Sequence, residues 1–174
     1  MSKGAFQWKP LIVAGIGSGV LQVVAGVTMY LSGVYFEPMS FWVSVSALVI
    51  GIGGGTWWYR KATGEKHLTY GQALFVGAAI AVCTGLVYAV YNVVSVSFVY
   101  PHFLEDMAQA RIARLQARLT DASQMSALVE RVRATTTLGR VIRGNMIGLS
   151  VTGAVVSLLT AATFRGRGAR DGAE

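Results

Sequence analysis

Four long apolar segments alternate with polar ones along the chain. They cover residues 11–31, 41–59, 73–99 and 144–164, and none of them contains Asp, Glu, Lys, Arg or His. A helix needs about 20 mostly apolar residues to cross a hydrocarbon core of about 30 Å. The pattern therefore predicts four transmembrane helices in a single integral membrane domain, residues 1–174.

The sizeable polar region, residues 104–143, separates the third apolar segment from the fourth. In its first half Leu104, Ala108, Ile112 and Leu115 recur at helical spacing, and a second apolar run covers residues 125–132. We expect two short amphipathic helices joined near residues 120–124. The predicted fold is an all-α membrane protein: four transmembrane helices with a two-helix extramembrane amphipathic segment between spans three and four.

The composition supports a membrane location. Only 13% of the residues are charged, against about 25% in an ordinary soluble domain, and surface that faces acyl chains needs no charged coat. The net charge is +7, but the basic residues lie mostly outside the apolar segments and no nucleic-acid-binding motif accompanies them. We therefore interpret the basic residues as signals of membrane orientation and expect no nucleic-acid partner.

The short loops predict the orientation. The loop at residues 32–40 has no basic residue and one acid, Glu37, whereas the loop at residues 60–72 carries Arg60, Lys61 and Lys66. Short loops rich in Lys and Arg stay in the cytoplasm. Four spans place both termini on one side, so we expect both termini to be cytoplasmic.

Two glycine-rich stretches, "GIGSG" at 15–19 and "GIGGG" at 51–55, resemble phosphate loops. Both lie inside apolar segments and lack the Lys-Ser/Thr that completes such a loop. Small residues four apart instead let membrane helices approach closely, within one chain or in an oligomer. The predicted helix-packing residues are Gly15, Gly19, Gly51, Gly55, Gly77, Ala81, Gly85, Gly144 and Gly148.

A few polar residues lie inside the apolar segments. Gln22 is in the middle of the first, and Tyr88, Asn92 and Ser95 share one face of the third. They are candidates for a small polar cavity, or for hydrogen bonds that hold helices together. Helix bonding is favoured, because ion and proton pathways usually contain an ionisable residue and none joins this set.

The sequence supports no catalytic site. His67 and His102 lie in different loops, which the predicted topology places on opposite sides of the membrane, and no Cys/His cluster exists. His102, near Glu105, is a candidate ligand for a metal or a porphyrin-type pigment; an interfacial histidine is the commoner role. We expect no enzyme and no cofactor.

Three arginines of the polar region, Arg111, Arg114 and Arg118, lie on one helical face. They are candidate contacts for lipid phosphates, and bound lipid is expected. The alternative is a solvated helical cap whose apolar face packs inward. The stretch "SFVYPHFLEDM" at 97–107 has a structural explanation as well: Pro101 lacks an N–H and should end or kink the third helix.

Three stretches carry a family resemblance: "YRKATGEKHLTYGQALFVG" at 59–77, "YNVVSVSFVYPHF" at 91–103 and "GLSVTGAVVSLLTAATFRGR" at 148–167. In that order, around four spans, they resemble the bacterial membrane family called domain of unknown function 4199. Tyr100 stands where that family often has an acid, and the loop helices are unusually rich in arginine. The resemblance implies a four-span protein of the bacterial inner membrane and supplies no catalytic residue.

The leading functional hypothesis is a non-catalytic small integral membrane subunit, an accessory or scaffold protein that packs in a homo-oligomer or a larger complex. One alternative is a small transporter or channel lined by Gln22, Tyr88 and Asn92. Another is a lipid- or pigment-binding module that uses the arginine-rich loop and His102.

Overall fold

The computed structural model describes residues 7–65, 68–117 and 122–168 of the chain. All regular elements in these ranges are helical, which confirms the all-α prediction. The α-helices are α1 (Trp8–Leu31), α2 (Met39–Thr63), α3 (Tyr70–Val94), α4 (Phe103–Gln116), α5 (Ala122–Thr135) and α6 (Leu138–Gly168). A π-helical turn, Ser95–Val99, follows α3.

Four of these helices are long and apolar enough to cross a membrane. They are α1, α2, α3 with its π-helical turn (Tyr70–Val99), and the part of α6 from Leu138 to Thr163. The chain is thus a multi-pass membrane protein, as the apolar pattern predicts.

Helix α6 begins at Leu138, six residues before the fourth apolar segment. The six residues of α6 that precede this segment include Arg140 and Arg143. Arginine favours helix as strongly as most apolar residues do. Hydropathy detects only the lipid-embedded part of a helix, so the helix starts before the predicted span of residues 144–164.

The ends of the helices follow local chemistry. Thr69 and Gln72 form a capping box at the start of α3: the Thr69 N–H donates to Gln72 Oε1 at 2.9 Å, and the Gln72 N–H donates to Thr69 Oγ1 at 3.3 Å. At the far end, the Tyr100 N–H donates to the Ser95 carbonyl at 2.7 Å and closes the π-helical turn. Pro101 follows immediately and brings no N–H with which to continue the helix.

The chain divides into two compact units. The first comprises Met1–Tyr88 and Gly148–Glu174, and the second comprises Ala89–Ile147. In the first unit the fully buried side chains include Leu48 and Ile52 of α2 and Val76 and Ile80 of α3. These branched apolar residues form the centre of its hydrophobic core.

Helices α1 and α2 of the first unit pack closely and run antiparallel. Ser18 lies against Gly51, and Ala14 Cβ lies 3.3 Å from the position that a Cβ on Gly55 would occupy. The pairing therefore moves down α1 as it moves up α2. Glycine at these positions lets the two backbones approach more closely than any side chain would allow.

The second unit contains the two amphipathic helices, α4 and α5, which contact one another. Phe103 and Ala108 of α4 are buried. Arg111 Nη1 donates to Thr136 Oγ1 at 3.5 Å, and that hydroxyl donates to the Val132 carbonyl at 2.8 Å. The arginine thus bonds to the segment that ends α5, so at least one polar side chain of α4 joins the two helices.

We predict that Gly51→Ala lowers the free energy of unfolding by about 1–3 kcal/mol, because the added Cβ would overlap Ser18. The matched control is Gly53→Ala on the same helix, where an added Cβ meets no atom within 4 Å. Reversible unfolding in mixed detergent micelles would measure both variants. Equal stability of the two would contradict the close α1–α2 packing.

Candidate functional site

The predicted packing glycines include an inward-facing group in the first unit. A Cβ on Gly15 would overlap Cys83 of α3, and a Cβ on Gly19 would lie 2.6 Å from Val87 Cβ. A Cβ on Gly77 would lie 2.9 Å from Ser157 Oγ. These glycines mark the places where helices of this unit meet.

A second group of predicted packing residues faces open space. A Cβ on Gly85, Gly144 or Gly148 would meet no atom within 4 Å, and the latter two glycines are exposed. Gly85 is nonetheless buried. The packing role of all three stays a prediction, and only for the exposed Gly144 and Gly148 does it concern a partner outside the chain.

Two close approaches involve glycines that the sequence pattern did not single out. A Cβ on Gly26 would lie 3.3 Å from Tyr88 Oη, and a Cβ on Gly153 would lie 2.7 Å from Ala81 Cβ. Signals for both were present: Gly26 follows Gly19 by seven residues, two helical turns, and Gly153 precedes Ser157 by four. Small residues at those spacings share a helix face.

Two of the predicted cavity residues, Gln22 and Tyr88, lie in the first unit and are buried there. Gln22 is 3% exposed, and its Oε1 has no hydrogen-bond partner in the part of the chain that the structure describes. Tyr88 Oη lies 3.4 Å from Tyr35 Oη, within hydrogen-bond distance. A hydrogen bond between those hydroxyls fits the predicted role of these polar residues in holding helices together.

The other two, Asn92 and Ser95, belong to the second unit and are also buried, at 3% and 6% exposure. Ser95 is the first residue of the π-helical turn, and its carbonyl accepts the Tyr100 N–H. A π-turn widens a helix locally and often occurs at functional positions. The cavity itself stays a prediction.

The loop residues take exposed positions in the second unit. Arg111 and Arg114 are exposed on α4, and Arg118 lies outside the described residues. His102 is the exposed N-cap residue of α4, and its side chain makes no capping hydrogen bond. The first turn of α4 carries Glu105 and Asp106, where carboxylates favour the positive end of the helix dipole. Among the residues that the structure describes, no three His, Cys, Asp or Glu form a group able to hold a metal.

An open groove between α1 and α2 holds a cavity of about 300 Å³. Val13, Gly17 and Leu21 line it from α1, and Ile50, Gly54 and Trp58 line it from α2. Further along α2, a second cavity of about 420 Å³ is lined by Trp57, Arg60, Lys61, Gly64 and Glu65. Lys61 Nζ lies 5.4 Å from the centre of the Trp57 ring, a cation–π distance.

The sequence pattern of the family described as Protein of unknown function (DUF4199) matches residues 14–166. The chain belongs to this family. The match runs from the second turn of α1 almost to the end of α6 and covers all or nearly all of each predicted span. No curated protein and no solved structure matches the chain. DUF4199 membership confirms the resemblance seen in the sequence, and its description attaches no activity to the residues above.

We predict that Gln22→Met, a replacement of nearly equal length, raises the free energy of unfolding by about 1 kcal/mol, because a buried acceptor without a donor costs about 1–3 kcal/mol. The control is Tyr88→Phe, which removes the Tyr35–Tyr88 hydroxyl contact and should lower stability by about 0.6 kcal/mol. Detergent unfolding measures both. A clear loss of stability in Gln22→Met would show that Oε1 holds a bound group, as in a polar pathway.

Proposed function

We propose that this DUF4199 chain is a non-catalytic integral membrane subunit that packs through α6 against another transmembrane helix. The observation that carries the proposal is the outward face of α6. Gly148 is exposed there with open space at its Cβ position, and Val151, Val155 and Leu159 continue its face at 61%, 51% and 64% exposure. Of the four spans, α6 is the least buried, at 22% of its apolar window.

The chemistry of the membrane explains why an outward glycine supports packing. Lipid tails are as apolar as leucine, so hydrophobicity alone does not drive helices together; close backbone contact at small residues does. A glycine that faces lipid gains nothing from its small size. Gly144, one turn before Gly148, has the same open surroundings and extends the small-x-x-x-small pattern.

We predict that Gly148→Leu weakens association about tenfold, about 1.4 kcal/mol, because the added side chain prevents close approach of a partner helix. The matched control is Gly53→Leu on α2, where the glycine also has open space. Size measurement of the complex after mild extraction from native membranes would compare them. A wild-type protein that is strictly monomeric and co-purifies with no other protein would contradict the proposal.

A second candidate function, a small transporter or channel, is favoured by one observation: the unpartnered Oε1 of the buried Gln22. A polar group at that depth is expensive unless something pairs with it. The Gln22→Met experiment separates the two functions, since a subunit with a dry core gains stability and a transporter loses a ligand contact.

The proposed setting is a bacterial inner membrane, with both termini in the cytoplasm. The last turn of α2 supports this orientation with Arg60 and Lys61, whereas the loop after α1 carries Glu37 and no basic residue.

Labelling of single cysteines tests the orientation in a Cys83→Ala background. Glu65→Cys, in the loop after α2, should resist a membrane-impermeant maleimide in intact cells, and Glu105→Cys on α4 should react. The labelling reverses if the termini lie outside the cytoplasm.

A further inference from the structure

The groove between α1 and α2 has a defined register and depth. Its lining pairs Val13 with Trp58 at one end and Leu21 with Ile50 at the other, as expected for antiparallel helices. Eight residues separate Val13 from Leu21, so the groove is about 12 Å long at 1.5 Å per residue. That length is close to the roughly 15 Å of hydrocarbon in one leaflet of a bilayer.

One end of this groove leads to cations. Lys9 lies one turn before Val13 on α1, and Lys61 lies two turns beyond Gly54 on α2, each on the face that lines the groove. The register that pairs Val13 with Trp58 places Lys9 opposite Lys61. Both lysines are exposed.

The second cavity adds to this charge. It is lined by Lys61 together with Arg60, Trp57 and one acid, Glu65. Among the described residues, this second cavity therefore carries two cations and one carboxylate, and Lys9 adds a third cation at the same level of the α1–α2 pair. An indole ring next to these cations is typical of the headgroup level of a membrane.

The floor of the groove is shaped by residues that internal packing does not explain. A Cβ on Gly17 or on Gly54 would meet no atom within 4 Å, so neither glycine is required by a neighbouring helix. Each keeps open a space that a larger side chain would fill. The groove exists because these two positions are glycine.

Ser18 also lines the floor, where its side chain lies against Gly51. It is 4% exposed, and its Oγ has no hydrogen-bond partner in the described chain. The buried hydroxyls of Thr84 and Ser157 instead donate to the carbonyls of Ile80 and Gly153, at 2.9 and 2.7 Å. This hydroxyl lies in the α1–α2 contact against Gly51, and an acyl chain has no group that could pair with it, so the shape of the groove and the charge at its mouth, not Ser18, select the occupant.

We propose that this groove binds one acyl chain of an anionic glycerophospholipid, whose phosphate lies against Lys9, Arg60 and Lys61. The apolar walls match the acyl chain, the length matches one leaflet, and the cations at the mouth match the headgroup. Basic pockets beside transmembrane helices favour anionic headgroups for the same electrostatic reason. This lipid site is separate from the proposed subunit contact, because α1 and α2 line it and α6 does not.

A transmembrane helix of a second copy fits this groove less well. A packed helix would follow α1 and α2 across the whole bilayer, about 30 Å, whereas the groove ends after one leaflet. Two copies that met in the same orientation here would also bring their lysines together. Charge and length therefore both favour the lipid.

Native mass spectrometry of the purified full-length protein tests the site with two probes, dioleoyl phosphatidylglycerol and dioleoyl phosphatidylcholine. The acyl chains are identical, so the comparison isolates the headgroup. We expect one tightly held phosphatidylglycerol per chain, with an affinity about tenfold above that for phosphatidylcholine. Equal affinity for the two lipids would overturn the proposal and indicate ordinary annular lipid.

Two sets of variants separate the acyl site from the headgroup site. Gly54→Leu fills the groove and should reduce binding of both lipids at least tenfold. Gly53→Leu should leave it unchanged, because Gly53 lies outside the groove lining and also has no atom within 4 Å of an added Cβ. The double variant Lys9→Gln, Lys61→Gln should remove the preference for phosphatidylglycerol and keep phosphatidylcholine binding at the wild-type level.

The same variants distinguish a lipid site from a dimer contact and from a folding defect. If Gly54→Leu retains wild-type lipid binding, or dissociates a dimer while the lipid count is unchanged, the groove does not hold lipid. If Gly54→Leu loses helix content where Gly53→Leu does not, the lysine variant decides, because those exposed side chains lie outside the packed core. An unchanged headgroup preference in that variant would then overturn the proposal.

Discussion

The packing of the first unit depends on close approach between helix backbones. In a lipid bilayer the hydrophobic effect does not drive this approach. In lipid, helices associate through van der Waals contact and a few hydrogen bonds, so a difference of one methyl group at the contact is felt. Gly51 against Ser18 and Gly15 against Cys83 are the places where this constraint is tightest. The buried core of Leu48, Ile52 and Ile80 fills the space that the close approach defines.

Glycine has opposite consequences on the inward and outward faces of a helix. On α2, Gly51 faces inward and permits packing against α1, while Gly54, three residues later, faces outward and opens the groove. A glycine on the inside lowers the distance between helices, and a glycine on the outside leaves a depression for something else. The proposed subunit contact at α6 and the proposed lipid site between α1 and α2 both follow from outward glycines.

The architecture was readable from the sequence because span length and the absence of charge are strong, additive signals. All four predicted spans lie within observed helices, and Pro101 correctly marked the end of the third. Hydropathy missed the start of α6 because Arg140 and Arg143 are helical but not apolar.

The direction in which each glycine faces could not be predicted from the sequence. Periodicity places Gly144 and Gly148 on one face of the helix but does not say which neighbour that face meets. The close contacts of Gly26 and Gly153 could be identified only in the structure, because their partners, Tyr88 and Ala81, lie on another helix.

A glycine-to-alanine series across the first unit tests the central claim most directly, with the free energy of unfolding as the readout. We expect two separate classes of variant. Alanine at Gly15, Gly19, Gly51, Gly77 and Gly153 should each cost about 1–3 kcal/mol, and alanine at Gly17, Gly53 and Gly54 should change stability by less than about 0.5 kcal/mol. A single continuous distribution, with inward and outward glycines equally tolerant, would contradict the claim that close backbone contact holds the helices together.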